Sequence, residues 1–159
     1  SGREWEKSPR KTTTAEREGV GVKGEYQHTL DAKGRLFIPA KLREQLGDGF
    51  VVTKGLDECL FLYPQKAWDE LEQKIRQLPM SKSRGLQRFF LSSAADVTVD
   101  RQGRIVIPTT LRNYANLERD VVVIGVGERA ELWDARRWNA YTDDLDCESI
   151  AQAMEELGF

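Results

Sequence analysis

The sequence is poor in the features that mark membrane, disulfide-bonded or metal-binding proteins. No apolar run approaches the roughly 18 residues that a membrane-spanning helix needs, and no charged and then apolar leader starts the chain. We therefore expect a cytoplasmic protein without a membrane partner. The two cysteines, Cys59 and Cys147, have neither CxxC nor Cys/His spacing, which predicts reduced side chains rather than a disulfide or a metal site.

Enzyme motifs are also missing. The single histidine, His28, lies in an alternating stretch without a cysteine or a paired carboxylate motif beside it, so we interpret it as an ordinary strand residue and not as a general base or a ligand. The sequence contains no glycine-rich phosphate-binding loop and no nucleophile elbow. We predict that the chain is not an enzyme and that it takes no cofactor and no small-molecule substrate.

The charge of the chain is small in total but unevenly distributed. The 159 residues carry a formal net charge of −2, so any attraction to nucleic acid must be local. Residues 31–43 carry four cations and one carboxylate, and residues 100–112 carry three cations and one carboxylate. Residues 139–159 instead hold six carboxylates and no lysine or arginine. The acidic end therefore masks two basic segments in the whole-chain sum.

The two basic segments are copies of one motif. Residues 31–43 are DAKGRLFIPAKLR and residues 100–112 are DRQGRIVIPTTLR, which agree at seven positions with a constant offset of 69. After the short helix of each copy the offset becomes 70, so that Gly55 matches Gly125 and Trp68 matches Trp138; we attribute this change to one residue inserted in a loop. The chain therefore contains an internal repeat.

Each copy has the pattern of a β-hairpin, a short helix, a second β-hairpin and a longer helix. About 50 residues of short strands cannot bury their own apolar faces, so the two copies should share one core about a pseudo-two-fold axis. Glycine turns between short strands favour a small closed or nearly closed barrel. The expected fold class is α+β, with both Asp-to-Arg turns on one rim. The predicted divisions are a disordered leader (1–23), a first repeat (24–78), a connecting helix (79–93), a second repeat (94–145) and an acidic tail (146–159).

The Asp-to-Arg turn is suited to hold an arginine at a fixed place. An aspartate at a strand end accepts hydrogen bonds from backbone N–H groups two or three residues on, and glycine supplies the backbone freedom that closes the turn. The guanidinium then offers a planar set of donors that fits a phosphate or the O6 and N7 atoms of guanine. The alternative is that the aspartate and the arginine simply pair with each other across the turn.

The cations around the turns divide into two groups. Lys33 and Arg101 lie on the turns themselves and are candidates for phosphate contacts, which position a protein on DNA without specifying sequence. Arg43 and Arg112 follow a leucine on the short helix and fit structural or intersubunit salt bridges equally well. The candidate DNA-binding residues are Asp31, Lys33, Arg35, Asp100, Arg101 and Arg104, with Lys41, Arg43 and Arg112 as secondary candidates.

Two tandem D-x-x-G-R-x-x-I-P-x-x-L-R blocks, each followed by a hairpin and a Trp-bearing helix, resemble the MraZ family of bacterial transcriptional regulators. The resemblance covers about residues 24–145; a single block also resembles the wider AbrB-like group of swapped-hairpin DNA-binding proteins. It implies an AbrB-like double barrel, assembly into homo-oligomeric rings, a place at the nucleoid, and binding to direct repeats in the promoter of the division and cell-wall gene cluster. In the family the D-x-x-x-R element contacts DNA, and it maps here onto Asp31 with Arg35 and onto Asp100 with Arg104.

A second class of function stays open. A ring-forming interaction scaffold or an antitoxin-like regulator, whose acidic tail or leader binds another protein, needs no promoter-specific binding. For the joining of chains, the sequence offers the helices with Trp68 and Trp138 and the intervening segment with Phe89 and Phe90. The absence of a mobility shift on promoter DNA at low salt would favour the scaffold.

Overall fold

The computed structural model describes residues 21–159, so the predicted disordered leader lies outside the described residues except for its last three positions. Val22 and Lys23 belong to strand β1, and Val22 is buried in the core. The first strand therefore begins two residues before the predicted boundary at residue 24. Across this described part of the chain, no helix is long and apolar enough to cross a membrane.

Both copies contain the same elements in the same order, and the predicted α+β class is confirmed. The first copy consists of β1 (Val22–Thr29), β2 (Arg35–Phe37), α1 (Ala40–Leu46), β3 (Gly49–Lys54), β4 (Leu60–Pro64), α2 (Gln65–Gln77), and α3 (Met80–Leu86), which continues into a π-helical segment (Gln87–Leu91). The second copy consists of β5 (Ala95–Thr98), β6 (Arg104–Val106), α4 (Thr109–Tyr114), β7 (Asp120–Gly127), β8 (Ala130–Asp134), α5 (Ala135–Asp143) and α6 (Cys147–Glu156).

Proline marks the start of the helices in both copies. Pro39 and Pro108 precede α1 and α4, and Pro64 precedes α2. Proline suits this position because its fixed φ matches the start of a helix, where the first backbone N–H groups have no partner within the helix. At the place of Pro64, the second copy has Asp134, whose side chain accepts a hydrogen bond from the backbone N–H of Arg137.

The two copies exchange strands. Six strands form one antiparallel sheet in the order β1-β7-β8-β4-β3-β5, so β1 of the first copy pairs with β7 of the second and β5 of the second pairs with β3 of the first. Strands β2 and β6 form a separate antiparallel pair, which we call the ribbon. A bridge between Leu30 and Leu36 joins the ribbon to the end of β1, and Asp100 N–H donates to the Arg104 carbonyl at the end of β5. The copies are thus interlocked around a shared core, as the repeat predicts.

The sheet has a buried layer on each face. One layer lies between the sheet and the inner side of the ribbon, α1 and α4. It contains Leu36, Phe50, Ile105 and Val123. The other face packs against the longer helices and contains Phe61, Trp68, Val122, Ile124 and Trp133. The inner side of the ribbon belongs to the first of these buried layers, and its outer face is left to solvent.

The repeat register differs from the one predicted by sequence alignment. Val51 pairs with Tyr63 in the first hairpin, and Val122 pairs with Trp133 in the second. Val51 and Val122 are therefore equivalent at an offset of 71, whereas Tyr63 and Trp133 are equivalent at 70. The predicted match of Gly55 with Gly125 is wrong, because the second copy gains two residues before β7 and loses one in the following hairpin, where loop length is free to vary.

Candidate nucleic-acid interface

One carboxylate holds the turn of the first copy. Asp31 Oδ1 accepts hydrogen bonds from the backbone N–H groups of Lys33 at 3.0 Å and Arg35 at 2.8 Å. Gly34 has a φ of 82°, in the left-handed region that favours glycine. The hydrogen bond from the Arg35 backbone is the largest cause that lowers the pKa of Asp31 below its ordinary value, so the acceptor is ionised at neutral pH.

The turn of the second copy has the same geometry. Asp100 Oδ1 accepts from the backbone N–H groups of Gln102 at 2.8 Å and Arg104 at 2.9 Å, and Gly103 has a φ of 79°. The hydrogen bond from the Arg104 backbone is again the largest cause that lowers the pKa of the aspartate. In both turns the second donor lies four residues after the aspartate, one further than predicted, because the carboxylate reaches the arginine's own N–H group.

Each turn is also fixed by the opposite copy. The backbone N–H of Ile107 donates to the Gly34 carbonyl at 2.8 Å, and the backbone N–H of Ile38 donates to the Gly103 carbonyl at 2.8 Å. These reciprocal bonds tie each turn to the strand end of the other repeat. The two arginines that end the turns are therefore presented by a single rigid unit.

The ribbon places both arginines on one exposed surface. Arg35 pairs with Val106, Leu36 with Ile105, and Phe37 with Arg104. Leu36 and Ile105 are buried, and side chains alternate between the two faces of a strand, so the four flanking residues point outward together. Diagonal neighbours in an antiparallel pair lie about 7–8 Å apart, which is the expected backbone separation of Arg35 and Arg104.

Each arginine is about one-third exposed and lies beside its aspartate. Arg35 Nε is 2.5 Å from Asp31 Oδ2, with 35% of the arginine side chain exposed. Arg104 Nε is 3.6 Å from Asp100 Oδ2, and its Nη2 group donates to Gln102 Oε1. The pairing left open by the sequence is therefore present. It engages Nε of Arg35, and the two Nη groups of that guanidinium lie outside the pair.

The remaining candidate cations occupy different positions. Lys33 and Arg101 are exposed on the turns, and Lys41 is exposed on α1. Arg43 Nε donates to Asp48 Oδ1 at 2.6 Å, and Arg112 donates from Nε to the Ile107 carbonyl at 3.0 Å. Arg43 and Arg112 thus make structural bonds within the chain, which was one of the two roles considered for them.

Sequence reasoning missed two apolar residues on the same outer face. Phe37 is 45% exposed and Val106 is 55% exposed, each directly opposite an arginine. The ring of Phe37 meets that of His28 edge-on, with 5.6 Å between centroids. The alternation of side chains along a strand could have identified Phe37: because Leu36 and Ile38 face the core, Phe37 between them must face outward.

The described residues show no arrangement for metal binding. No group of three or more His, Cys, Asp or Glu side chains within residues 21–159 is placed to hold an ion. Cys59 is buried, and burial is the main cause that raises the pKa of its thiol to about 12, which keeps it protonated and unreactive. The exposed face of the ribbon offers hydrogen-bond donors and positive charge from its two arginines, and apolar surface from Phe37 and Val106.

Comparison with known proteins agrees with the internal repeat. Residues 22–89 and residues 90–158 each match the family described as "MraZ protein, putative antitoxin-like". A protein of Acetivibrio thermocellus named Transcriptional regulator MraZ is 53% identical over 139 residues, covering 85% of this chain and 97% of that protein. A protein of the same name from Heliobacterium modesticaldum is 55% identical over 136 residues, covering 84% and 92%. These are names of regulators and not of enzymes, in agreement with the sequence. The resemblance drawn from the two motifs is confirmed, and the chain belongs to the MraZ family.

Proposed function

We propose that this chain is a sequence-specific, DNA-binding transcriptional regulator that acts as a homo-oligomer on direct repeats in the promoter of the division and cell-wall gene cluster. The observation that carries the proposal is the ribbon, in which Arg35 and Arg104 are diagonal neighbours on the same exposed face. Relatives that align over most of this chain are named transcriptional regulators. The promoter and its repeats come from the family resemblance.

A two-stranded antiparallel ribbon is narrow enough to enter the major groove of B-DNA. Inside the groove, the Nη groups of an arginine donate to O6 and N7 of guanine, and an apolar side chain contacts the methyl group of thymine. The ribbon face offers both kinds of contact, from Arg35 and Arg104 and from Phe37 and Val106. In this proposal Lys33 and Arg101, which are exposed on the two turns, contact phosphates and position the protein without specifying sequence.

The Asp–Arg pairs have a role in this mechanism. Asp31 holds Nε of Arg35, which limits the rotamers of the arginine before DNA arrives. Ordering a long side chain in advance lowers the entropy cost of binding. The aspartate thus positions the arginine, and the Nη groups of Arg35 make the contact with the base. In this proposal the ion pair and the DNA contact occur together and are not alternatives.

A single chain offers few contacts, so the proposal includes assembly. Two arginines and two turn cations, on a chain of negative net charge, support only binding near the non-specific range of about 10⁻⁴ to 10⁻⁶ M. Joined chains meet neighbouring repeats at a high effective concentration, which raises affinity by roughly 10² to 10⁴ when subunit spacing matches repeat spacing. Nucleoid association in the cytoplasm follows from the same binding.

The test is to footprint the purified full chain on the region upstream of its own gene. Binding is then measured to duplexes with one, two and four copies of the protected repeat, beside light scattering of the free protein. A duplex with the repeats scrambled, and one with about five extra base pairs between them, which is half a helical turn, are the controls. We expect affinity to rise steeply with repeat number and the spacer to remove the gain.

Two other outcomes would contradict separate parts of the proposal. Equal binding to repeat and scrambled DNA, or no shift at low salt, would favour an interaction scaffold or an antitoxin-like protein over a promoter-specific regulator. A monomer that binds one repeat as tightly as four would keep DNA binding but exclude the oligomeric mechanism.

A further inference from the structure

The ribbon comes close to two-fold symmetry. A rotation that exchanges the two copies places Arg35 on Arg104 and Leu36 on Ile105, so the same or similar side chains coincide. The backbone bonds between each turn and the strand end of the opposite copy obey the same symmetry. A surface with this symmetry offers the same groups when it is turned end for end, so by itself it does not distinguish the two directions of a DNA site.

The symmetry is broken at one pair of exposed positions on this face. Phe37 corresponds to Val106 at the offset of 69 that relates the two motifs, and both side chains are exposed. Phe37 lies opposite Arg104, and Val106 lies opposite Arg35. One end of the face therefore combines an arginine with a phenyl ring, whereas the other end combines an arginine with a short branched side chain.

The neighbours of these two residues differ as well. The Phe37 ring meets the His28 ring edge-on, whereas the second copy has Val97, which is buried, at the position of His28. A Cβ at Gly103 would lie 2.8 Å from the Phe37 ring, so this ring lies close to the backbone of the opposite turn. Phe37 thus lies against an aromatic ring, and Val106 has no aromatic neighbour at the equivalent position.

We propose that Phe37 gives the ribbon a direction on DNA. The ring is larger than the valine side chain and reaches further from the strand, so in the major groove it contacts the methyl group of a thymine at its own end of the site. Docking in the reverse direction places Val106 there and leaves that methyl group without the ring. Direction matters under the proposed function, on which this inference rests, because direct repeats all run the same way along the DNA.

A second difference between the copies would also give a direction. Gln102 accepts a hydrogen bond from Nη2 of Arg104, and Lys33 stands at the equivalent position of the first turn. The lysine side chain has no acceptor, so it cannot hold the Nη groups of Arg35 in the same way. The two arginines then differ in their freedom to reach a base. An experiment must therefore separate an effect of Phe37 from an effect of Gln102.

A tethered cleavage reagent reports which way the ribbon lies on DNA. An iron–EDTA group is attached to Ala32→Cys, an exposed position of the first turn, in the full chain with Cys147→Ser. The remaining cysteine, Cys59, is buried, and burial raises the pKa of its thiol to about 12, so it does not react. On a duplex with one footprinted repeat, cleavage marks the side at which the first turn lies. The otherwise wild-type chain should cleave one side about four times more than the other, the contribution of one buried methyl group.

Exchange of the two apolar side chains should reverse the direction. Phe37→Val with Val106→Phe keeps the composition of the face and leaves Gln102 in place, so the stronger cleavage should move to the other side of the repeat. Phe37→Val alone makes the two ends alike and should give equal cleavage on both sides. The matched control is Val126→Phe, which changes an exposed valine outside the ribbon and should keep the wild-type side.

Substitution in the DNA tests the same contact without changing the protein. Uracil in place of each thymine of the repeat removes one methyl group at a time. One such substitution, at the end of the site where Phe37 lies, should lower the affinity of the wild-type chain about fourfold and make its cleavage equal on the two sides. If no uracil substitution lowers the affinity, the thymine contact assigned to Phe37 is excluded.

The outcomes separate the role of Phe37 from the proposed function. Equal cleavage on both sides by the wild-type chain, together with tighter binding to the repeat than to scrambled DNA, would overturn the direction and leave the proposed regulator intact. Cleavage that stays on the same side after the exchange would assign the direction to Gln102 and would overturn the role of Phe37. Equal binding to repeat and scrambled DNA would contradict the proposed function and, with it, the role of Phe37.

Discussion

Arg35 and Arg104 lie diagonally across one two-stranded ribbon, and each faces an exposed apolar residue that belongs to the other copy. Each repeat therefore contributes only half of the exposed face of the ribbon. The turns are shared in the same way, because the backbone N–H of Ile107 donates to the Gly34 carbonyl and that of Ile38 donates to the Gly103 carbonyl, so each turn is bonded to the other copy. A change in one copy consequently alters half of a shared face and leaves the other half in place.

Substitutions of Arg35 should separate base contacts from phosphate contacts. Arg35→Ala should cost about 1–3 kcal/mol per engaged site and relax the preference for the repeat, whereas Lys33→Ala should weaken binding to all sequences alike. Arg35→Lys is the informative comparison, because lysine keeps the charge but loses the planar donors; it should retain binding to random DNA and lose the preference. Competition mobility shifts with specific and random duplexes measure both quantities. Equal losses on the two duplexes for Arg35→Ala would restrict the arginine to phosphate.

The two turn glycines should differ in their tolerance of alanine. A Cβ at Gly34 would lie 2.7 Å from the Ile107 carbonyl oxygen, whereas a Cβ at Gly103 would lie 2.8 Å from the ring of Phe37. Both substitutions incur about 1–2 kcal/mol for the left-handed conformation. Gly34→Ala should lose about 1–3 kcal/mol more, since its neighbour is hydrogen-bonded backbone, while the exposed Phe37 ring can turn away.

Urea unfolding of both variants measures this difference, with Gly85→Ala as the control. A Cβ at Gly85 meets nothing within 4 Å, and the residue lies in α3, so this substitution should stabilise the chain by about 0.5–1 kcal/mol. Equal losses at Gly34 and Gly103 would mean that the backbone around Ile107 yields as readily as a side chain.

Acid stability should depend on the two turn aspartates. The pKa values of Asp31 and Asp100 are lowered in the folded chain from an ordinary value of 3.8, so the unfolded state binds protons first as the pH falls. Their contribution to stability is complete above about pH 4 and is lost as the pH drops through the lowered pKa values. Asp31→Asn with Asp100→Asn should therefore flatten the decline of the urea midpoint below about pH 4. An unchanged slope in the double variant would contradict the assignment.

The sequence was sufficient to predict the elements and the turns because their signals are local. Proline before a helix, glycine after a turn, and aspartate four residues before arginine each act within a few positions. The pairing of β1 with β7 joins residues about a hundred positions apart, and no local pattern specifies it. The register of β7 was also missed, since an alignment of glycines cannot show that two residues are gained and one is lost around a strand.

The candidate site could likewise be predicted from the sequence only where its signals are local. The motif located Arg35 and Arg104, yet their placement on one face depends on the pairing of β2 with β6, which the sequence does not state. The alternation of side chains along a strand predicts that Phe37 faces outward. Phe37 is apolar, however, and an apolar residue in a strand is ordinarily assigned to the core. Its exposure is a consequence of the ribbon having only one covered face.

Strand exchange predicts that neither repeat folds alone as a monomer. Residues 22–89 would lack β5 and β7, which pair with β3 and β1, and they would also lack the partner strand of β2. Leu36 and Val52 would then be uncovered, and so small a core cannot offset the entropy of ordering the chain. The isolated segment should be unfolded by far-UV circular dichroism, or should form a homodimer in which a second copy supplies the missing strands. Co-expression with residues 90–158 should restore a cooperative melting transition near that of the intact chain. A folded, monomeric 22–89 segment with a sharp melting transition would contradict the strand exchange, and with it the joint ribbon on which the DNA-binding proposal depends.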